Sequence, residues 1–367
     1  MHKEYIIRPI EKSDLTDLCH LAKESGIGFT SLPESREALA DKIKKSIQSF
    51  SKNHSELSSE LSNEYYMFGL EHIASKKIIG VSAIEANVGA NELFYHYKVG
   101  QLTKASKYPD IRKEHQILSL SSDLSNSSEI CTLFLLPEHR HKFLGKLLSK
   151  SRFLFLKQFA PRFPEQIIAE MRGISDEQGV SPFWEAIGKH FIGLSFPEAD
   201  YIKGCGNAEF ITNLIPENRV YTCILPQDAQ DSIGKVHKFT EPAKILLERE
   251  GFKFKGYIDL FDAGPTLHAN LHKINSIKNS KIYKINKINK INKISNNISD
   301  NISDNISDNK NNKITCLISN TKLLHWRALI TEAVILDNNQ IYVAPEILSN
   351  LQLVEGDEVI ASDQGKL

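Results

Sequence analysis

Ile233-Gly234-Lys235-Val236-His237 places a histidine just after a glycine that permits a turn and just before a helix expected near Pro242. That spacing sets His237 on a loop, where a group titrating near neutrality can pass a proton to or from a reacting atom. A second candidate is the run Glu129 to Leu136, apolar nearly throughout, which Pro137-Glu138-His139-Arg140 breaks before Gly145 opens a helix carrying Lys146. A helix start presents unpaired N–H groups suited to an anion, so Arg140, Gly145 and Lys146 are candidate ligands for one. The plainer reading of Gly145 is a helix start beside a buried strand. Glu85, Glu170, Asp176, Glu177, Asp259 and Asp262 lie near expected strand ends and could hold a cationic substrate; Arg140, Arg152 and Arg172 could hold a carboxylate. Most side chains of these types are solvated or structurally paired, so none is singled out by type alone.

The elements that must position these residues follow from periodicity. Tyr5 to Ile10 predicts a strand, and Ser13 offers a cap for a helix with Leu15, Leu18, Leu21 and Ala22 on one face. A second helix after Pro33 carries Leu39, Ile43, Ile47 and Phe50. Tyr65 to Leu70 and Ile78 to Glu85 predict a hairpin, whereas Gly89 to Ser128 shows no clear period and is expected to be an elaborated loop with short strands. Glu129 to Leu136 predicts a central strand covered on both faces. The helix opened by Gly145 buries Leu147, Leu148, Ser151, Leu154 and Phe155, and the strand Gln166 to Met171 follows. Ser181 then caps a helix with Pro182 at its first position, a further helix runs to Glu250 before Gly251, and Tyr257 to Phe261 is a strand. Residues 273–313 consist of imperfect Lys-Ile-Asn and Asn-Ile-Ser-Asp repeats without a sustained apolar face, and are expected to be a low-complexity disordered insert. Short strands at tight spacing after it predict a small β-barrel.

With 367 residues there is room for two or three cores. Lys+Arg and Asp+Glu each number 45, so charge balance suggests no polyanionic partner and no nucleic acid. The five cysteines, Cys19, Cys131, Cys205, Cys223 and Cys316, lack metal-ligand spacing and suit reduced cytosolic thiols. No basic and apolar leader is seen, and no run reaches the roughly 18 apolar residues that a membrane helix needs. A cytoplasmic protein without a membrane partner is expected.

The order strand, helix, helix, hairpin, long apolar strand, Gly-opened helix, strand, helix resembles the GNAT acyltransferase fold. That resemblance implies that the central strand splays from the next one and binds the pantetheine arm through its backbone, and that the following helix start binds the CoA pyrophosphate. Leu133, Phe134, Leu135, Arg140, Gly145 and Lys146 are then the acyl-CoA-binding positions. The family loop reads Arg/Gln-x-x-Gly-x-Gly/Ala; Arg140 and Gly145 fit its ends, while Phe143 stands at the first glycine place. A closer resemblance lies in Arg8-Pro9-Ile10, Thr30-Ser31-Leu32-Pro33, Cys131 to Leu135, Leu148 to Phe153, Ala169-Glu170-Met171-Arg172-Gly173, Ser181-Pro182-Phe183-Trp184, Ala229 to His237 and Phe261 to Leu267. These blocks look like the arginine N-succinyltransferase family. The resemblance implies transfer of succinyl from succinyl-CoA, a co-substrate, to the α-amine of L-arginine, with no permanently bound cofactor or metal. It also implies His237 as the acid protonating the departing thiolate, and a homo-oligomer, most simply a dimer. Other N-acyltransferases of the same fold, using ornithine or acetyl-CoA, and a non-catalytic acyl-CoA or amino-acid sensor remain open alternatives. The expected architecture is therefore α/β (α+β): a GNAT-like domain with a mixed, largely antiparallel sheet over 1–200, a second α/β part over 201–272 completing the site, the insert over 273–313, and a small β-barrel over 314–367.

Overall fold

The computed structural model describes residues 4–52, 63–90, 92–140, 143–207, 209–286, 313–336 and 338–365. The chain opens with β1 (Tyr5–Pro9), α1 (Leu15–Ser25), α2 (Arg36–Ser51) and the hairpin β2 (Tyr65–His72) and β3 (Lys77–Val88). Leu18, Leu21, Leu39, Ile43 and Phe50, read as helix stripes, are all buried in the main core. Ser35 caps α2 by accepting the Ala38 amide. Ser13 does not cap α1: a 3-10 turn over Lys12–Asp14 intervenes, and the Asp14 carboxylate accepts the Glu11 amide and the Arg8 guanidinium instead.

The stretch expected to be an elaborated loop is a long hairpin, β4 (His96–Lys107) and β5 (Asp110–Ser121), twelve residues in each strand with every residue in register. Its outer half is mostly exposed, so neither face demands apolar residues and no alternation is written into the sequence. Then come β6 (Ser127–Leu135), α3 (Leu144–Gln158) and β7 (Gln166–Glu170). Five short helices follow: α4 (Pro182–Ala186), α5 (Gly188–Ile192), α6 (Phe196–Gly204), α7 (Glu209–Leu214) and, after β8 (Val220–Tyr221), α8 (Gln227–Ser232). Ser181 caps α4 as expected, taking the Trp184 amide at 3.3 Å. The chain continues through α9 (Glu241–Arg249), β9 (Lys253–Ile258), β10 (Pro265–Asn270), α10 (Asn275–Asn279) and β11 (Ser280–Ile285). It closes with β12 (Lys313–Asn320), β13 (Ala328–Leu336), β14 (Gln340–Tyr342), α11 (Pro345–Asn350) and β15 (Glu358–Asp363).

The order β1-β2-β3-β6-β7-β10-β9-β4-β5-β8 makes one sheet, antiparallel except where β6 meets β7. This is the mixed, largely antiparallel GNAT-like sheet expected from the element order. Strands β11, β14, β13, β12 and β15 pair in a ring, which is the expected small barrel, and β13 joins it to the main sheet beside β1.

Two expected boundaries need correction. Residue 200 falls inside α6, and the second core draws Tyr97 and Leu118 from the hairpin together with Phe183, Trp184, Phe196 and Phe261, so the second part starts near 182 and borrows a hairpin from earlier in the chain. The insert does not begin at 273. Residues 275–285 form α10 and β11, and β11 supplies Tyr283 and Ile285 to the barrel core; Lys313, the last residue of the expected insert, begins β12, and residues 287–312 lie outside the described residues. The barrel therefore needs a strand from the segment read as insert. Replacing 288–311 by a short Gly/Ser connector is expected to leave turnover and melting temperature unchanged, because repeats without an apolar face bury little and loop length costs only logarithmically. Extending the cut back to 275 deletes a strand with two ladders and is expected to lower the melting temperature markedly, which thermal denaturation of the two variants checks.

Candidate active site

The site is built where β6 parts from β7. The two strands pair at Ser128↔Ile167 and Glu129↔Ile168 and no further, while β6 stays on β3 to Gly80↔Leu135. Between Val81 and Ala83 the ladder slips, and Thr132 sits at φ 55°, a bulge in which a β-branched residue takes the left-handed region. Such strain persists where surroundings impose it. Here the Arg152 guanidinium holds the Cys131 carbonyl at 3.3 Å, and the Tyr65 hydroxyl lies 3.3 Å from Thr132 Oγ1. Beyond the bulge, the Leu136 amide bonds back to Ile79 on β3, so alternation turns the backbones of Leu133 and Leu135 toward the gap that β7 leaves. Arg140 Nε takes the Leu135 carbonyl at 2.8 Å, with its guanidinium 5.2 Å from the Phe134 ring centre. The next helix, α3, has no acidic residue in its first turn, and a Cβ placed on Gly145 would meet no described atom within 4 Å. Phe143 at the departing loop position is buried and serves the core.

A trough of carboxylates flanks this gap. Glu85 and Glu129 face each other across β3 and β6, and Glu170 ends β7 with His96 Nε2 2.8 Å from its Oε1. Lys203 of α6 lies 3.4 Å from Asp259 Oδ2. Burial opposes the Lys203 charge, yet Asp259, Glu170, Asp200 and Glu129 hold its pKa well above the ordinary value. Burial likewise opposes the Glu170 charge, but Lys203 and His96 keep its pKa at about 2. For Glu129 the balance is reversed: burial, then Glu170 and Glu85, push it well above the carboxylate range. Asp262 accepts the Gly173 amide at 2.6 Å and the Gly264 amide at 2.9 Å, a crossing that only glycines allow, since a Cβ on Gly264 would fall 2.0 Å from the Met171 carbonyl. Burial and Asp259 nevertheless raise its pKa to about 8.

His237 closes the far end. Its amide bonds the Arg172 carbonyl at 2.9 Å, and its Nδ1 accepts the Phe239 amide at 3.3 Å. That second bond exists only while Nδ1 is unprotonated. Burial, then Arg172 and Lys238, lower the pKa of the ring. Arg172 also abuts Gly28 in the turn between α1 and α2, and the neighbouring Phe29 meets Phe134 edge-on at 5.8 Å. One turn thus touches both the Arg172–His237 end of the trough and the splayed strand.

Of the acids and bases proposed from sequence, Glu170, Asp259, Asp262 and Arg172 come together here, and Glu85 stands at the rim with Lys45 3.7 Å away. Asp176 does not join them: its Oδ1 accepts the Gln178 and Val180 amides of a surface turn, beside exposed Glu177. Arg152 is buried against the bulge, where it holds backbone and has no room for substrate. Lys146 is half-buried in the first turn of α3, and Leu133 is half-buried while Phe134 and Leu135 are buried. Sequence reasoning missed Glu129, His96, Asp200 and Lys203. Glu129 had a signal, being the one charge in an otherwise apolar run that both faces of a sheet must cover. Lys203 sits on a short helix of unremarkable composition and had none. The Cys131 thiol, raised by burial and by Glu129, stays protonated and is a poor nucleophile. No cluster of three His, Cys, Asp or Glu with metal-holding geometry occurs among the described residues, and no helix there is long and apolar enough to cross a membrane.

Residues 5–276 match the family described as arginine N-succinyltransferase beta subunit, and residues 301–363 match the C-terminal domain of that subunit. An arginine N-succinyltransferase of Yersinia pseudotuberculosis is 38% identical over 353 residues, 96% of each chain. One from Escherichia coli is 44% identical over 275 residues, 75% of this chain and 78% of that one. Among solved structures, subunit AI of the arginine/ornithine succinyltransferase of Pseudomonas aeruginosa superposes with a TM-score of 0.84 at 31% identity, covering 99% of both chains.

Proposed function

The chain belongs to the arginine N-succinyltransferase beta subunit family, and on that premise we propose that it transfers succinyl from succinyl-CoA to the α-amine of L-arginine. The observation that carries the reading is the juxtaposition of a splayed, bulged strand with a trough holding more buried carboxylates than cations. The strand edge offers backbone to an acyl-CoA arm, and the trough favours a substrate that is cationic. Succinyl-CoA acts as co-substrate.

In this reading the α-ammonium of arginine first gives a proton to solvent water. The amine lone pair attacks the thioester carbon, the carbonyl π electrons move onto oxygen, and the backbone amide near Leu133 or Phe134 receives that oxyanion. Collapse restores the carbonyl and breaks the C–S bond, the nitrogen gives its second proton to solvent to leave the neutral amide, and the leaving sulfur takes a proton from His237. Burial and Glu129 raise the pKa of the Cys131 thiol, which supports direct attack over an acyl-cysteine. Incubating the protein with arginine or ornithine and either succinyl-CoA or acetyl-CoA, then recording free thiol and product mass, tests the assignment. Succinylarginine should be the main product; thiol release with acetyl-CoA alone, or with neither donor, would overturn it.

Gly145 and Lys146 are assigned to the CoA phosphates on the same reading. Because a Cβ at Gly145 meets no described atom within 4 Å, Gly145→Glu adds a charge without a clash among the described residues. An acid in the first helical turn is worth about 0.3–1 kcal/mol of stability. The variant is therefore expected to hold or slightly raise its melting temperature while the KM for succinyl-CoA rises by about tenfold or more from repulsion of phosphate. Steady-state kinetics beside a melting curve separates the two effects, and an unchanged KM would remove this loop from the binding site.

A further inference from the structure

Glu129 is the carboxylate of the trough to which the chain gives no hydrogen-bond or ion-pair partner among the described residues. Glu170 has His96, Asp259 has Lys203, Asp262 has two amides, Asp200 has Thr30 and Gly28, and Glu85 has Lys45. Glu129 has only 9% of its surface exposed and stands directly across from Glu85, on the side of the sheet that Tyr65 shares. The charged and titratable groups around it are Glu85 from β3, Glu170 from β7, Lys203 from α6, Lys42 from α2, Cys131 two residues on, and Arg152 from α3. Two of the nearest are like charges. A buried acid left opposite other acids is costly unless something cationic arrives, and burial with Glu170 and Glu85 accordingly raises its pKa.

We propose that Glu129, with Glu85 at the mouth, seats the guanidinium of the substrate and so selects arginine over amino acids whose side chain ends uncharged. The proposal rests on the family reading above. A guanidinium presents a planar fork that matches two uncommitted carboxylate oxygens, and Glu129 has both of its own uncommitted. The reach also fits. Four residues of strand separate Glu129 from Leu133, which at about 3.3 Å each is roughly 12 Å after the bulge. A glutamate side chain and an extended arginine laid end to end span that distance, leaving the α-amine at the thioester. An α-ammonium resting on Glu129 would instead hold the nucleophile away from the carbonyl that the Leu133 backbone binds.

The test compares kcat/KM for arginine and for norvaline, with succinyl-CoA as donor, in the full-length protein and in Glu129→Gln. Wild type should favour arginine, and in Glu129→Gln the arginine-to-norvaline ratio should fall by at least about tenfold through the KM for arginine, with the KM for succinyl-CoA held. Glu85→Gln should lower the ratio in the same direction and by less. A folded Glu129→Gln that keeps the wild-type ratio overturns the seat while leaving the assigned activity standing; wild type that does not succinylate arginine overturns both. Should Glu129→Gln fail to fold, Glu85→Gln decides: a lowered ratio supports the seat and an unchanged ratio overturns it.

Discussion

Leu133→Pro is expected to abolish acyl transfer, and Leu133→Ile to keep most of it. Both variants place an apolar side chain where Leu133 packs against the main core, so hydrophobic burial changes little between them. They differ in the backbone. Proline removes the N–H that faces the gap between β6 and β7 and fixes φ near −65°, next to Thr132 at φ 55°. If that amide binds the thioester oxygen, its loss alone costs about 10²–10³ in turnover, since a donor preset in a dry site acts only as charge develops. Distortion of the bulge adds to it. Isoleucine keeps the donor and the β-region backbone that a branched residue favours. Turnover, melting temperature and succinyl-CoA affinity measured on both variants check the assignment. Equal tolerance of the two changes would show that the Leu133 backbone does not handle the reacting carbonyl.

How much of this was legible in the sequence depends on what buried each residue. The central strand showed itself because two covered faces require an apolar run, and α3 because Leu147, Leu148, Leu154 and Phe155 recur at helical spacing. The hairpin β4–β5 did not, since its outer half meets water on both faces and leaves residue type unconstrained. β11 was hidden for a different reason. Its Tyr283 and Ile285 alternate toward the barrel core, but Ser280-Lys281-Ile282-Tyr283-Lys284-Ile285 runs into Lys-Ile-Asn repeats of the same composition, and only pairing with β14 and β15 tells the two apart. The trough is gathered from β3, β6, β7, α6 and the turns after β9, so its residues are scattered over nearly two hundred positions and share no spacing. Local chemistry in one chain segment can be read in order. A cluster of buried charge made by five segments is visible only once the sheet has brought them together.

His237→Gln is expected to lower turnover by at least about a hundredfold while leaving succinyl-CoA binding largely intact. A positioned general acid typically contributes on the order of 10²–10⁴ in rate. Glutamine is the informative replacement because it keeps an N–H near the place of Nε2 but cannot give its proton away. If His237 served only as a hydrogen-bond donor, the variant would retain much of its activity. The ring's surroundings make its protonated form scarcer and, once formed, more acidic. Burial, Arg172 and Lys238 all disfavour the imidazolium, and the Phe239 amide on Nδ1 bonds only the neutral ring. Each of these makes the imidazolium, once formed during turnover, a stronger acid toward the departing sulfur. The sign of the pH dependence follows. An acid acts in its protonated form, so the activity that depends on His237 is lost as pH rises through its pKa, and because that pKa is lowered the limb in kcat/KM lies below the ordinary histidine range. His237→Gln should erase that limb and leave any limb set by the substrate amine. A variant with wild-type turnover and the same profile would pass proton delivery to a tyrosine, a cysteine or a water, and His237 would then be read as a residue that fixes the turn through its amide on the Arg172 carbonyl.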